Sequence, residues 1–199
     1  EPRDRMVRAI QTVRGQLGRR YPLLLGSELV ETRRHLAVRN PARPTEIIGH
    51  VARARRADAD RAVAAASAAQ PRWAALPVAE RVACLRRAAD LMRERRYELA
   101  AWQTLEVGKT WRESDADVVE AISFLEYYSR QMFELAKGRP LAQVPGEQNL
   151  YRYVPRGIAV VIAPWNFPMA ILTGMASAAL VTGNAVILKP SEQSSVVAA

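Results

Sequence analysis

With one cysteine, Cys84, in 199 residues, the chain can form no internal disulfide and no cysteine-based zinc cluster. Histidine is almost as scarce. His35 and His50 each stand in a strand or turn segment with no second ligand nearby, so neither supports a metal site or a histidine triad. The N-terminus has no apolar stretch of the kind a secretory signal needs. Long hydrophobic runs are also missing. Residues 157–188 carry no charge, but Pro164, Asn166, Pro168 and the Gly183-Asn184 pair interrupt them. The longest helical piece, residues 169–182, falls short of the ~20 residues of a membrane span. A lone thiol with no leader fits a reducing, cytoplasmic setting.

Acidic residues are in the minority, 20 against 29 Lys and Arg, for a net charge of +9. That surplus does not read as a nucleic-acid surface. It lies mostly before Arg56, where arginines such as Arg3, Arg5, Arg8, Arg14, Arg19 and Arg20 are scattered without interleaved aromatics. An enzyme with a basic surface accounts for it. Apolar residues make up 49% of the chain, enough to build a core. Glu1 in place of Met, and a final stretch 194–199 that reads as a helix barely begun, suggest a piece of a longer protein.

The pattern along the chain predicts an α/β fold. Residues 3–18 form an amphipathic helix with Ile10, Val13 and Leu17 on one side. Segments 21–25 and 29–31 flank Gly26-Ser27 as a short hairpin, and 35–39 and 47–54 follow as strands. Asp58 is an expected N-cap for an alanine-rich helix that frays at Pro71 near Trp73. A single helix is expected over 78–107, with Val82, Leu85, Ala89 and Met92 inward and Gly108 as its stop. Another covers 115–136. Residues 150–154 alternate as an edge strand. Segments 158–163 and 185–188 are β-branched runs of the type buried on both faces of a parallel sheet, joined by the helix that Pro168 introduces. Strand, helix and strand within about thirty residues predict a right-handed βαβ unit. The resulting organisation is a helix and hairpin segment (1–56), a helical part (57–140), strands suited to oligomerisation (141–156), and an incomplete Rossmann-like unit (157–199).

In open parallel sheets, ligands bind beyond the carboxyl ends of the strands. Two polar clusters fall there: Pro164-Trp165-Asn166-Phe167-Pro168, and Lys189-Pro190-Ser191-Glu192. An uncharged amide at a strand mouth can donate to a developing oxyanion. A lysine and a glutamate three residues apart can hold sugar hydroxyls. The residues alone leave a second account open, in which Asn166 caps its helix and Lys189 and Glu192 are ordinary loop charges.

Val161-Ile-Ala-Pro-Trp-Asn-Phe-Pro168, followed by Gly183-Asn-Ala-Val-Ile-Leu-Lys-Pro-Ser-Glu192, resembles the cofactor-binding signature of the aldehyde dehydrogenase superfamily. Tyr21-Pro-Leu-Leu-Leu-Gly26, Phe124-Leu-Glu-Tyr-Tyr128, Glu134-Leu-Ala-Lys-Gly138 and Pro145-Gly-Glu147 resemble its branch acting on L-glutamate γ-semialdehyde in proline catabolism. The likeness spans essentially the whole chain but less than half of a complete family member. It implies that Asn166 stabilises the oxyanion of a thiohemiacetal, and that Lys189 and Glu192, with Ser191 between them, hold the adenosine ribose of NAD (NADP is possible). It implies too that Ile162, Ala163, Pro164 and Trp165 border the cofactor, and that Glu120 and Phe167 lie near the aldehyde. The substrate would be a small aldehyde, and the complete protein a homo-oligomer.

The same resemblance shows what this chain does not contain. The family's cysteine nucleophile and glutamate base belong to a separate catalytic domain. Cys84 lies inside an amphipathic helix and reads as a small buried hydrophobe. The glycine-containing turn that would receive a pyrophosphate is missing as well. The expected function is therefore that of part of an NAD(P)-dependent aldehyde dehydrogenase, inactive alone. Another semialdehyde dehydrogenase of the superfamily, or a non-catalytic binding or assembly module, are the alternatives.

Overall fold

The computed structural model describes residues 1–199. Helix α1 (Pro2–Arg14) leads into β1 (Arg19–Tyr21), the hairpin β2 (Leu23–Leu25) and β3 (Glu28–Val30), then β4 (His35–Asn40) and β5 (Arg43–Ala52). The hairpin closes at Gly26, whose positive φ of 63° is a conformation that costs glycine little. β5 is the centre of a three-stranded sheet, antiparallel to β4 and parallel to β1. Four helices follow: α2 (Arg56–Ala75), α3 (Val78–Glu94), α4 (Arg96–Val107) and α5 (Trp111–Ala136). The chain ends in β6 (Ile158–Ile162), α6 (Ala170–Val181), β7 (Ala185–Lys189) and a short 3-10 turn, Glu192–Ser194. The fold is α/β, as the sequence pattern predicts, and β6 pairs with β7 in parallel.

One hydrophobic core serves most of the chain. Met6, Val13 and Ile48 from the first segment meet Val82, Leu105, Val118 and Leu125 from the helices, and Val181 and Val196 from the last segment. The helices and the βαβ unit are therefore packed as one body rather than strung in sequence. Helices α5 and α6 pack closely. A Cβ on Gly174 would lie 2.9–3.2 Å from the Phe124 ring. Alanine raises helix propensity, yet Gly174→Ala is expected to lower stability by ~1–3 kcal/mol, because the ring has to leave its position. Urea denaturation checks this, and a rise in midpoint would show that the ring yields freely.

Several expectations are corrected. The helix over 78–107 is two helices, broken at Arg95 (φ −95°, ψ 12°). The break lets α3 and α4 each turn an apolar face to α5, while α4 also packs on α1. Asp58 is not the N-cap of α2. It sits three residues inside, where its carboxylate accepts from the Arg55 N–H at 2.8 Å. Pro71 does not fray the helix, which continues to Ala75. Cys84 is exposed, not buried. Two residues beyond the inward-facing Val82, it is rotated by roughly 200° to the opposite side of α3.

Two further corrections concern strands. Residues 150–154 pair with nothing and run exposed, Leu150 and Val154 being 71% and 76% accessible. A strand needs a neighbour for its N–H and C=O groups, and this chain offers none there. β6 is not buried on both faces: Val161 is buried, whereas Val160 and Ile162 are more than half exposed. One face of this two-stranded sheet is bare because no further layer covers it.

Candidate functional site

The register of β6 on β7 sets the site. Ile158 pairs with Ala185 and Ile162 with Lys189, and the Ala163 N–H donates to the Lys189 carbonyl at 3.3 Å. Both strands thus end at the same level, and the segments 163–168 and 189–192 leave adjacent tips. Buried Asn184 fixes the other end of the pair. Its Oδ1 accepts from the Arg156 and Gly157 N–H groups, and its Nδ2 donates to the Ala179 carbonyl.

Pro164, Trp165, Asn166 and Phe167 are exposed, while Ala163 and Pro168 are buried. Asn166 does not cap α6. The N–H groups of Met169 and Ala170 at the start of that helix are taken by Asp117 of α5, whose carboxylate accepts from them at 3.2 and 3.4 Å. The Asn166 side chain makes no hydrogen bond within the chain and is free to donate. Burial pushes the Asp117 carboxyl up. Lys109 and the two backbone N–H groups pull it back, and nearby Glu120 raises it further. Glu120 itself is exposed on α5, one turn beyond Asp117.

Lys109 completes this bracket. Its Nζ donates to the Asn166 carbonyl at 3.0 Å and lies 3.9 Å from Asp117 Oδ1 and 4.2 Å from the centre of the Phe167 ring. Sequence reasoning passed over both Lys109 and Asp117, since their partners are 50 or more residues away. The turn that presents Lys109 is locally encoded. Gly108 ends α4 with φ 72°, and Thr110 with Glu113 forms a reciprocal cap on α5. Gly108→Ala is expected to cost ~1–2 kcal/mol in thermal unfolding, because the position is left-handed and a Cβ would lie 3.1 Å from Pro41. An unchanged midpoint would show that the turn relaxes.

On the second tip, Lys189 and Glu192 are exposed and engaged in no ion pair. Ser191 caps the following turn, its hydroxyl contacting both the Gln193 N–H and Gln193 Oε1. A cleft of about 530 Å³ opens beside this tip, lined by Leu36, Val38, Pro41, Glu106, Trp165 and Glu192. It joins Trp165 and Glu192 from the two tips; Asn166 and Lys189 stand outside it. Glu106 is buried, and its two oxygens accept from the Val196 and Val197 N–H groups at 2.7 and 2.6 Å. Burial raises its pKa to about 7 against the pull of those bonds. No group of three or more His, Cys, Asp or Glu side chains gathers as a metal site.

Residues 29–199 match the sequence profile of the aldehyde dehydrogenase family. The chain belongs to that family. Among its relatives is a 1-pyrroline-5-carboxylate dehydrogenase of Geobacillus thermodenitrificans, 47% identical over 196 residues, covering 98% of this chain and 38% of the relative. Two solved structures carry the likeness into three dimensions. A Thermus 1-pyrroline-5-carboxylate dehydrogenase with bound NAD superposes with a TM-score of 0.96 at 45% identity, over 98% of this chain and 38% of that one. The Mycobacterium tuberculosis Δ-pyrroline-5-carboxylate dehydrogenase bound with NAD gives 0.90 at 30%, over 99% and 37%. This aldehyde dehydrogenase chain therefore spans about 38% of the length of the relatives it matches. None of its helices is long and apolar enough to cross a membrane.

Proposed function

We propose that the chain is the cofactor-side part of an enzyme that oxidises L-glutamate γ-semialdehyde to glutamate with NAD(P). The observation that carries this reading is the parallel register of β6 on β7. It sets the Asn166 loop and Lys189 on neighbouring strand tips. The family membership and the 47% identity to a 1-pyrroline-5-carboxylate dehydrogenase support it.

The residues fit a dinucleotide. Lys189 and Glu192, uncommitted to any ion pair, offer a donor and an acceptor to the ribose diol. Ile162, Ala163, Pro164 and Trp165 would border the ligand along the β6 end, with Ser191 holding the turn that carries Glu192. Bound nicotinamide would supply the hydride acceptor. The side chain of Asn166 would donate to the oxygen on which charge develops, with Phe167 and Glu120 towards the aldehyde. Cys84, exposed on α3 without a basic or acidic partner, does not supply the nucleophile. The carboxylate of Glu192 beside the ribose would repel a 2′-phosphate, which favours NAD over NADP.

Within this reading, residues 1–56 and 57–140 buttress the half-sheet of residues 157–199. Residues 141–156, unpaired and apolar in places, would find their neighbour in a second copy of the protein. A lone, unpaired thiol suits a reducing cytoplasm.

The test is the rate of the full-length enzyme on the two semialdehydes. A higher kcat/KM for glutamate semialdehyde is expected, and a preference for succinate semialdehyde would overturn the assignment. The isolated chain is expected to bind NAD only weakly. β7 runs into Lys189-Pro190 rather than a glycine-rich turn, so no cluster of backbone N–H groups awaits the pyrophosphate. Micromolar affinity by calorimetry would contradict this.

A further inference from the structure

We propose that Lys109 is a positioning residue for Asn166: its ammonium clamps the Asn166 carbonyl and thereby aims the side-chain amide at the reacting oxygen. This rests on the oxyanion role given to Asn166 above.

Four observations converge on it. The Lys109 side chain is only 12% exposed, and that of Asp117 is wholly buried. The ammonium donates to the Asn166 carbonyl at 3.0 Å, and the Asp117 carboxylate, 3.9 Å from the ammonium, holds the Met169 and Ala170 N–H groups. The face of the Phe167 ring lies 4.2 Å from the same ammonium, close enough for cation–π attraction. Finally, the Asn166 side chain has no hydrogen bond of its own, so nothing but its backbone sets its direction.

These contacts divide the work along residues 166–170. Asp117 fixes the N–H end of the loop at Met169 and Ala170. Lys109 fixes the C=O end at Asn166 and presses on Phe167 between them. With both ends held, the peptide plane after Asn166 cannot swing, and the Cα–Cβ bond of Asn166 keeps one direction. A donor aimed at a developing charge is worth most when it needs no reorganisation, and a small misplacement is costly. An ammonium suits this task. Its charge makes the bond to a carbonyl stronger than a neutral donor would, and the lysine side chain, little exposed beside Asp117, is held in place. Nothing in this places Lys109 in contact with substrate or cofactor, so its effect passes through Asn166.

The experiment is a mutant cycle on the full-length enzyme, reading kcat, the KM for NAD and the thermal midpoint for Asn166→Ala, Lys109→Met and the double variant. Asn166→Ala is expected to lower kcat by about a hundred-fold. Lys109→Met is expected to lower it by roughly ten-fold or more, with the NAD KM within about two-fold of wild type. The double variant should be no slower than Asn166→Ala alone, because a mispositioned donor that has been removed cannot matter twice. Wild-type kcat in Lys109→Met, with Asn166→Ala impaired, overturns the role of Lys109. Losses that multiply in the double variant also overturn it, since Lys109 would then act by another route. Wild-type kcat in Asn166→Ala sinks instead the oxyanion reading beneath it. Should Lys109→Met not fold, Lys109→Gln keeps a neutral donor and decides the matter by the same split between kcat and KM.

Discussion

Arg81→Ala is expected to lower the thermal midpoint of the protein by about 6–12 °C, corresponding to a loss of about 3 kcal/mol. Arg81 is 6% exposed and pairs with no carboxylate. Its guanidinium is spent on helix ends. Nε donates to the Val181 carbonyl at 3.0 Å at the end of α6, and Nη1 donates to the Ala74 carbonyl at 3.2 Å and to that of Leu76 at the end of α2. The last turns of two helices leave carbonyls without partners, and a cation there also opposes the helix dipole. Alanine removes all three donors and admits no compensating group, so buried carbonyls lose their bonds together. Trp73 and Gln70 make the same junction with α2, donating to the Leu180 and Gly183 carbonyls at 2.8 and 3.2 Å. Because those bonds remain, the variant is weakened rather than unfolded. Arg81→Lys keeps the charge but cannot span both helix ends, and an intermediate midpoint is expected. Equal midpoints for Arg81→Lys and wild type would mean that charge alone matters. A wild-type midpoint in Arg81→Ala would remove the junction from the account.

β6 and β7 were legible because unbroken β-branched runs bounded by Pro164 and Gly183 have few other solutions. The hairpin was legible from Gly26-Ser27, and the end of α4 from Gly108. All these signals are local. The break at Arg95 was not, because Glu94-Arg95-Arg96 contains no glycine or proline and the two halves separate only to reach different neighbours. Cys84 is the exception to a face that Val82, Leu85 and Ala89 mark correctly: small and apolar, it reads as a core residue by type although its helical position points it outward. The strand expected at 150–154 finds no neighbour within this chain.

The candidate site divides in the same way. Asn166, Lys189 and Glu192 could be picked out as the polar residues at strand ends. The groups that hold them could not. Asp117 reaches 52 residues along the chain, Glu106 reaches 90 and Arg81 reaches 100. Each is a charged residue inside an amphipathic helix, where the ordinary reading is a solvated face. Burial turns each into a fixed partner for backbone groups, at helix termini for Asp117 and Arg81 and in the turn after Ser195 for Glu106, and only the packed structure shows it.

Glu106 gives the second large effect, on the pH dependence of stability. Its pKa rises from 4.5 to about 7 in the folded protein because burial disfavours the carboxylate more than the Val196 and Val197 N–H groups favour it. Between those two values the folded state binds the proton that the unfolded state has released. Raising the pH through this window therefore removes stability, and the loss is complete above about pH 7. The shift corresponds to about 3 kcal/mol. Asp117, also raised by burial, adds a slope of the same sign. Glu98, lowered by Arg95, loses its contribution only at acid pH, below the window. Glu106→Gln holds a neutral side chain of the same shape, so the fall in thermal midpoint from about pH 5 to pH 7.5 is expected to shrink to the part owed to Asp117. If the variant retains the full wild-type slope, Glu106 does not titrate in the fold. The contact at stake anchors the chain after Glu192, and the cleft that Glu106 shares with Trp165 and Glu192 lies on the same side.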